Sequence, residues 1–193
     1  FSITASHAAD SVDVVFRYNY NGTATPYVAG TFNGWNNSVW PMTKVSGDLW
    51  TRNARIAVGT HLYKFYYAGV SSWPNDPLNH HVNSDAYQNS ILYVKDPTIY
   101  HLLPNQRDPI VYTSFPTISS YIFAKVGAVL DTSTLRLQID GIDFSGIGNN
   151  YNFITNQFTF TPSSPLPNGN HIVILTAGTN ADTVNFTTRG GFV

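Results

Sequence analysis

VDVVFRYNYNGTATPYVAG, residues 12–30, carries the pattern that decides the fold. Over its first seven residues apolar and polar side chains roughly alternate, the period of a strand with one buried face. Asn21, Gly22 and Thr23 then read as a turn, and PYVAG (26–30) resumes an extended run. The same grammar continues along the rest of the chain. It predicts strands over 47–58, 61–69 and 90–96, then over 119–126, 134–141, 156–162, 171–178 and 182–189. TLRLQID and QFTFTP, within the last group, alternate most clearly.

Composition agrees. The 193 residues include 11 Asp and no Glu, with only four Lys and four Gln. The best formers of exposed helices are therefore nearly missing. In their place stand 20 Thr, 19 Asn, 14 Gly, 11 Pro and 28 aromatic residues, which suit strands and turns. The expected class is all-β: two antiparallel, immunoglobulin-like β-sandwiches in tandem.

Several function classes fall away. Net charge is −1 and the ten basic residues are scattered, so no basic stripe exists to neutralise phosphates, and a nucleic-acid partner is not expected. No apolar run approaches the length of a membrane-spanning helix, so membrane insertion is not expected. Cysteine is absent, which removes disulfide and thiolate chemistry. The chain opens at Phe1 without a signal-peptide pattern and reads as a processed chain or an excised piece.

All four Trp lie before residue 97. Residues 1–96 read as the first sandwich, 97–109 (PTIYHLLPNQRDP) as a connector whose Ile99, Leu102 and Leu103 pack down, and 110–193 as the second sandwich.

Three stretches could carry chemistry. In GTFNGW (30–35) the Asn33-Gly34 turn delivers Trp35 at a strand end. An indole there either seals the sandwich or lies open for stacking. In YKFYYAGVSSWPNDP (63–77), Tyr63, Phe65 and Tyr67 alternate with Lys64 and Tyr66, so the two sets face opposite ways. Trp73 follows in a Ser/Pro/Asn loop. In DAYQNSILYV (85–94), Asn89 closes a loop and enters the last strand of this half.

Together GTFNGW, HLYKFYYAG, the loop Trp73 ahead of Asp76 and Pro77, and QNSILYV resemble carbohydrate-binding module family 48. That family includes the glycogen-binding domain of the AMP-activated kinase β subunit and N-terminal domains of isoamylases, pullulanases and branching enzymes. The resemblance covers about residues 8–96. It implies that Trp35 and Trp73 stack on sugar rings, while Lys64 and Asn89 hydrogen-bond their hydroxyls. Asn33, Asp85 and Tyr87 fall at the edge of such a site. This chain is one residue longer between Lys64 and Trp73 than the kinase subunit, and carries Asp85 and Tyr87 where that subunit has Leu and Thr. The second half is similar more loosely: SPLPNGNHIVILTAGT (164–179) resembles a hairpin common in bacterial immunoglobulin-like sandwiches, and the layout resembles N-terminal regions of secreted family 13 α-amylases.

The physics of the side chains fits sugar. A glucose ring has an apolar C–H face and an equatorial belt of hydroxyls; an indole offers a flat electron-rich face at low rotamer cost. Lys donates up to three hydrogen bonds and Asn both donates and accepts. The expectation is therefore non-catalytic binding of α-1,4-linked glucan (starch, glycogen or maltooligosaccharide), by a secreted or cell-surface appendage of a starch-degrading enzyme. A catalytic domain in the same polypeptide is then a further partner. The alternative is a structural spacer whose aromatic patch packs against a catalytic barrel or a partner protein. Trp50, in a strand, reads as core, and Trp40, before Pro41, as core or border.

Catalysis is not expected: glycoside hydrolysis needs two opposed carboxylates, and no GxSxG, P-loop or GxGxxG occurs. No cofactor is expected either. His80 and His81 with Asp76 and Asp85 form a conceivable metal cluster. Adjacent His residues in a strand point opposite ways, however, so solvated loop histidines and no metal are expected.

Overall fold

The computed structural model describes residues 10–67 and 72–190. Among these residues the regular structure is strands and short 3-10 turns, with no α-helix. The strands are β1 (Ser11–Asn19), β2 (Pro26–Gly30), β3 (Thr43–Ser46), β4 (Leu49–Ala57), β5 (Gly59–Tyr67) and β6 (Ser90–Val94). There follow β7 (Thr98–Leu103), β8 (Ile110–Val111), β9 (Ile118–Phe123), β10 (Arg136–Ile139) and β11 (Ile142–Phe144). The last four are β12 (Tyr151–Asn152), β13 (Gln157–Phe160), β14 (Gly169–Ala177) and β15 (Asn180–Thr188).

They form four sheets, in the orders β1-β4-β3, β2-β5-β6, β12-β13-β9-β7 and β11-β10-β14-β15-β8. Pairing is antiparallel throughout except between β15 and β8, so the all-β, antiparallel expectation holds. In β1, Val12, Val14, Phe16 and Tyr18 point inward and alternate with more exposed positions, as the sequence pattern required.

Two hydrophobic clusters result. One gathers Phe16, Val28, Trp50, Ile56, Tyr63, Phe65 and Leu92 from the first two sheets. Phe16 and Tyr63 meet edge to face at 5.2 Å and 62°, while Tyr18 stacks on Phe65 at 4.3 Å and 24°. The other gathers Leu102, Ile118, Ile122, Leu137, Phe158, Val173, Leu175 and Phe186.

Residues 97–109, expected as a connector, contain β7. Its register with β9 pairs Thr98 with Phe123 and Tyr100 with Tyr121, and it belongs to a sheet rather than a loop. Ile99 and Leu102 join the second cluster while Tyr100 joins the first, so this strand is shared by both. The first five residues of β7 are all buried. A strand covered on both faces lacks the alternation by which strands are read from sequence.

Candidate functional site

The β2-β5-β6 sheet turns Tyr63 and Phe65 of its central strand into the core, while Leu62 and Lys64 lie on the other face. At the end of β2 the chain makes a 3-10 turn over Thr31–Asn33. Gly30 is required there because any Cβ would strike the Leu62 carbonyl. Gly34 and then Trp35 take left-handed backbone angles, with φ of 63° and 60°. Such a conformation is natural for glycine and strained for tryptophan. It is held by the Trp35 amide, which donates to the Gly30 carbonyl at 2.8 Å. Asn33 braces the same turn: its Oδ1 accepts from the Gly30 amide at 3.0 Å and its Nδ2 donates to the Val28 carbonyl at 3.0 Å.

Trp73 returns alongside β5. The Phe65 amide donates to the Pro74 carbonyl at 3.0 Å, and Ser72 bridges to Tyr67. The Trp73 ring lies against Tyr66, with centroids 4.7 Å apart, and is 37% exposed. Its centroid is 6.5 Å from that of Trp35, with the two planes inclined by 58°. The indoles thus form two walls of a trough rather than one level platform.

The remaining walls come from the loop before β6. Asp85 folds it by accepting from the Tyr87 and Gln88 amides, both at 2.9 Å, through Oδ1, while its Oδ2 accepts from Asn83 at 2.8 Å. Tyr87, projected by that turn, is 75% exposed. Asn89 follows, only 7% exposed, its carbonyl accepting from the Asn83 amide at 2.9 Å. Trp35, Leu62, Lys64, Trp73, Tyr87 and Asn89 line one open cavity of about 520 Å³.

The structure therefore brings Trp35, Lys64, Trp73 and Asn89 together, with Tyr87 beside them. Asn33 and Asp85 do not line the cavity; their polar atoms are spent on holding the two turns. Leu62 was missed from sequence, although the alternation that puts Lys64 outward puts Leu62 on the same face. Trp50 is a core residue, its Nε1–H donating to the Tyr20 carbonyl at 3.0 Å. Trp40 stacks on Phe32 at 4.9 Å and 10°, with the Arg52 guanidinium 5.7 Å from its centroid, and lies away from the cavity lining.

Under the cavity sits a buried polar knot. Asp76, three residues after Trp73, is fully buried, and its Oδ2 accepts from Tyr63 at 2.6 Å, Tyr100 at 2.8 Å and His101 Nε2 at 2.6 Å. Its Oδ1 accepts from the Leu78 amide at 3.0 Å. Burial alone would raise the Asp76 carboxyl, but His101 and the phenols hold it below the usual carboxylate range. Burial and the Asp76 charge push the Tyr63 and Tyr100 hydroxyls well up, so both stay donors.

Residues 12–100 match the family described as the glycogen recognition site of AMP-activated protein kinase. No curated protein matches the chain. Among solved structures, a maltogenic amylase from S. marinus aligns over 93% of this chain and 29% of its own, at 10% identity and a TM-score of 0.37. The central fibronectin-III array of RIM-binding protein aligns over 97% of this chain and 72% of its own, at 8% identity and a TM-score of 0.28. The chain thus spans less than a third of the amylase. The strand core around Phe16 and Tyr63 and the aromatic trough thus lie within the stretch, residues 12–100, that is similar to the glycogen-recognition family.

Proposed function

We propose that this protein binds α-linked glucan (glycogen, starch or maltooligosaccharide) without catalysis, in the trough between Trp35 and Trp73. The observation that carries the reading is that two indoles, a lysine and an asparagine line one open cavity. Stacking on the indole faces replaces water over the C–H side of each sugar, while the Lys64 ammonium and the Asn89 amide pair with hydroxyls. Among the described residues no carboxylate lines the cavity, so none of them supplies the acid and base of glycoside hydrolysis there. The 58° between the indole planes suits an α-linked chain, whose successive rings turn, better than a flat ribbon. We further place the chain as a secreted, N-terminal appendage of a starch-degrading enzyme, on the resemblance of its sequence layout to such regions.

A shallow, solvent-open site gives weak affinity. A dissociation constant of roughly 0.1–1 mM, about −4 to −5.5 kcal/mol, is expected for a short oligosaccharide. Repeated sites along a polymer raise the effective strength. The test is retardation in a native gel cast with glycogen: wild type runs slower than in a blank gel, and Trp35→Ala loses that retardation. If wild type runs no slower than Trp35→Ala, the reading is wrong.

A further inference from the structure

The His80-His81 pair does not behave as solvated loop. Asn79 is buried, and its Oδ1 accepts from the His81 amide at 2.9 Å while its Nδ2 donates to the Ile91 carbonyl at 2.8 Å. This turn lies outside any strand, so the two neighbouring imidazoles need not point to opposite faces. Their centroids are 3.8 Å apart and their planes inclined by 40°. Both reach the same atom, Oδ1 of Asp182 on β15, with His80 Nε2 at 3.1 Å and His81 Nε2 at 3.0 Å. The acidic partner is neither Asp76 nor Asp85, as the sequence suggested, but a residue about a hundred positions further on.

Hydrogen bonding accounts for His81 but not for His80. Asp182 Oδ1 already accepts from the Thr183 amide at 2.8 Å and from His81. The His80 side chain is 7% exposed, yet neither of its ring nitrogens has a hydrogen-bond partner. Its Nε2 is close to the carboxylate but not directed along a hydrogen bond to it. A buried imidazole with both nitrogens unpartnered is costly unless another group satisfies it.

We propose that His80, His81 and Asp182 form a binding site for a divalent transition-metal ion of the zinc type. Two imidazole nitrogens and one carboxylate oxygen are a ligand set that zinc accepts, and all three lie within 4.8 Å of one another. Ligand atoms about 2.0–2.1 Å from a tetrahedral ion lie about 3.3 Å apart, close to the separations found here. A side cavity of about 150 Å³ reaches His81 and Asp182 and has room for a water in the fourth position. Lys95 lines that cavity, but its ammonium donates to Asn180 Oδ1 at 3.1 Å. Tyr93 packs edge-on against the His81 ring at 5.0 Å and 85°, which fixes its orientation. An ion here ties the turn after Asn79 to β15 and so has a structural role. It takes no part in the trough.

The test is titration of Zn²⁺ into the chelator-stripped full chain, followed by calorimetry and by thermal melting. One ion per chain is expected, with a rise in melting temperature. His81→Ala and Asp182→Asn should each weaken binding by more than about 100-fold, beyond the usual effect of outer-shell changes. His61→Ala, outside the cluster, should leave it unchanged. Co²⁺ added to the wild type is the second readout and needs no variant to fold: strong visible bands of a four-coordinate ion are expected. Absence of Zn²⁺ binding by the wild type, equal binding by His81→Ala and Asp182→Asn, or only the weak bands of six-coordinate Co²⁺ would overturn the proposal.

Discussion

The Tyr63 hydroxyl donates to Asp76 Oδ2 at 2.6 Å, joining the strand that carries Lys64 to the loop that carries Trp73. Two walls of the trough are thereby fixed to each other from beneath. Removing one partner of a buried charged group leaves the rest unpaired. Asp76→Ala should therefore cost about 3–5 kcal/mol, and Tyr63→Phe about 1.5–3 kcal/mol, both read by urea denaturation. Costs below about 0.5 kcal/mol for both variants would show that the knot does not bear on stability.

Trp35 and Trp50 should separate binding from folding. Trp35 is held at a φ of 60°, which costs a non-glycine residue about 1–2 kcal/mol. Trp35→Gly should then melt no lower than wild type while losing glycogen retardation. Trp50→Ala, in the core, should lose about 3–5 kcal/mol. A Trp35→Gly protein that melts well below wild type would contradict the assignment of Trp35 to the surface.

Tyr87 is the most exposed wall of the trough. Being largely exposed, Tyr87→Ala should leave stability within about 0.5 kcal/mol. It should weaken maltooligosaccharide binding by about 1 kcal/mol, or about five-fold, through loss of an aromatic face. Calorimetric titration reads the second value, and unchanged affinity would remove Tyr87 from the site.

Acid should act through Asp76. Its carboxyl is held below the ordinary range in the folded state, so the stability it contributes is present above the unfolded carboxylate pKa. That stability is lost as pH falls below the unfolded value, which is about 3.9. In Asp76→Asn the acid limb of a stability–pH curve should be shallower than in wild type. An equal slope would assign the acid sensitivity to other carboxylates.

Alkali should act through the buried phenols. Burial raises Tyr18 and Tyr151 to about 12. A raised folded-state value contributes stability below the unfolded pKa of about 10, and this is lost as pH rises toward the folded value. Tyrosinate absorbance should therefore show a late fraction that titrates together with loss of circular dichroism. Full ionisation with the fold intact would contradict their burial.

Much of the strand pattern was legible because half-buried strands advertise their period. PYVAG coincides with β2, and the runs over 12–18 and 171–178 fall on β1 and β14. The unread elements fail for identifiable reasons. β7 is buried on both sides and so has no alternation, and β3 is exposed at every position. The trough residues stood out because turns and isolated aromatics are local signals. Asp182 did not, because the distance from His81 in sequence is closed only by the packing of β15. The Asp76 knot was invisible in the same way: Asp-Pro reads as an ordinary turn opener, and nothing near it announces Tyr100 or His101.

The sharing of β7 bears on anyone trimming this chain. The family match stops at residue 100, between two neighbours that donate to one oxygen of Asp76. A shortened protein cut at that border would keep the phenol and discard the imidazole, stranding an anion in the interior. Ending it beyond Leu103, the close of the strand, would spare that donor but still leave β7 without β9. Sugar binding lost on such trimming would then report a damaged foundation, not an irrelevant trough.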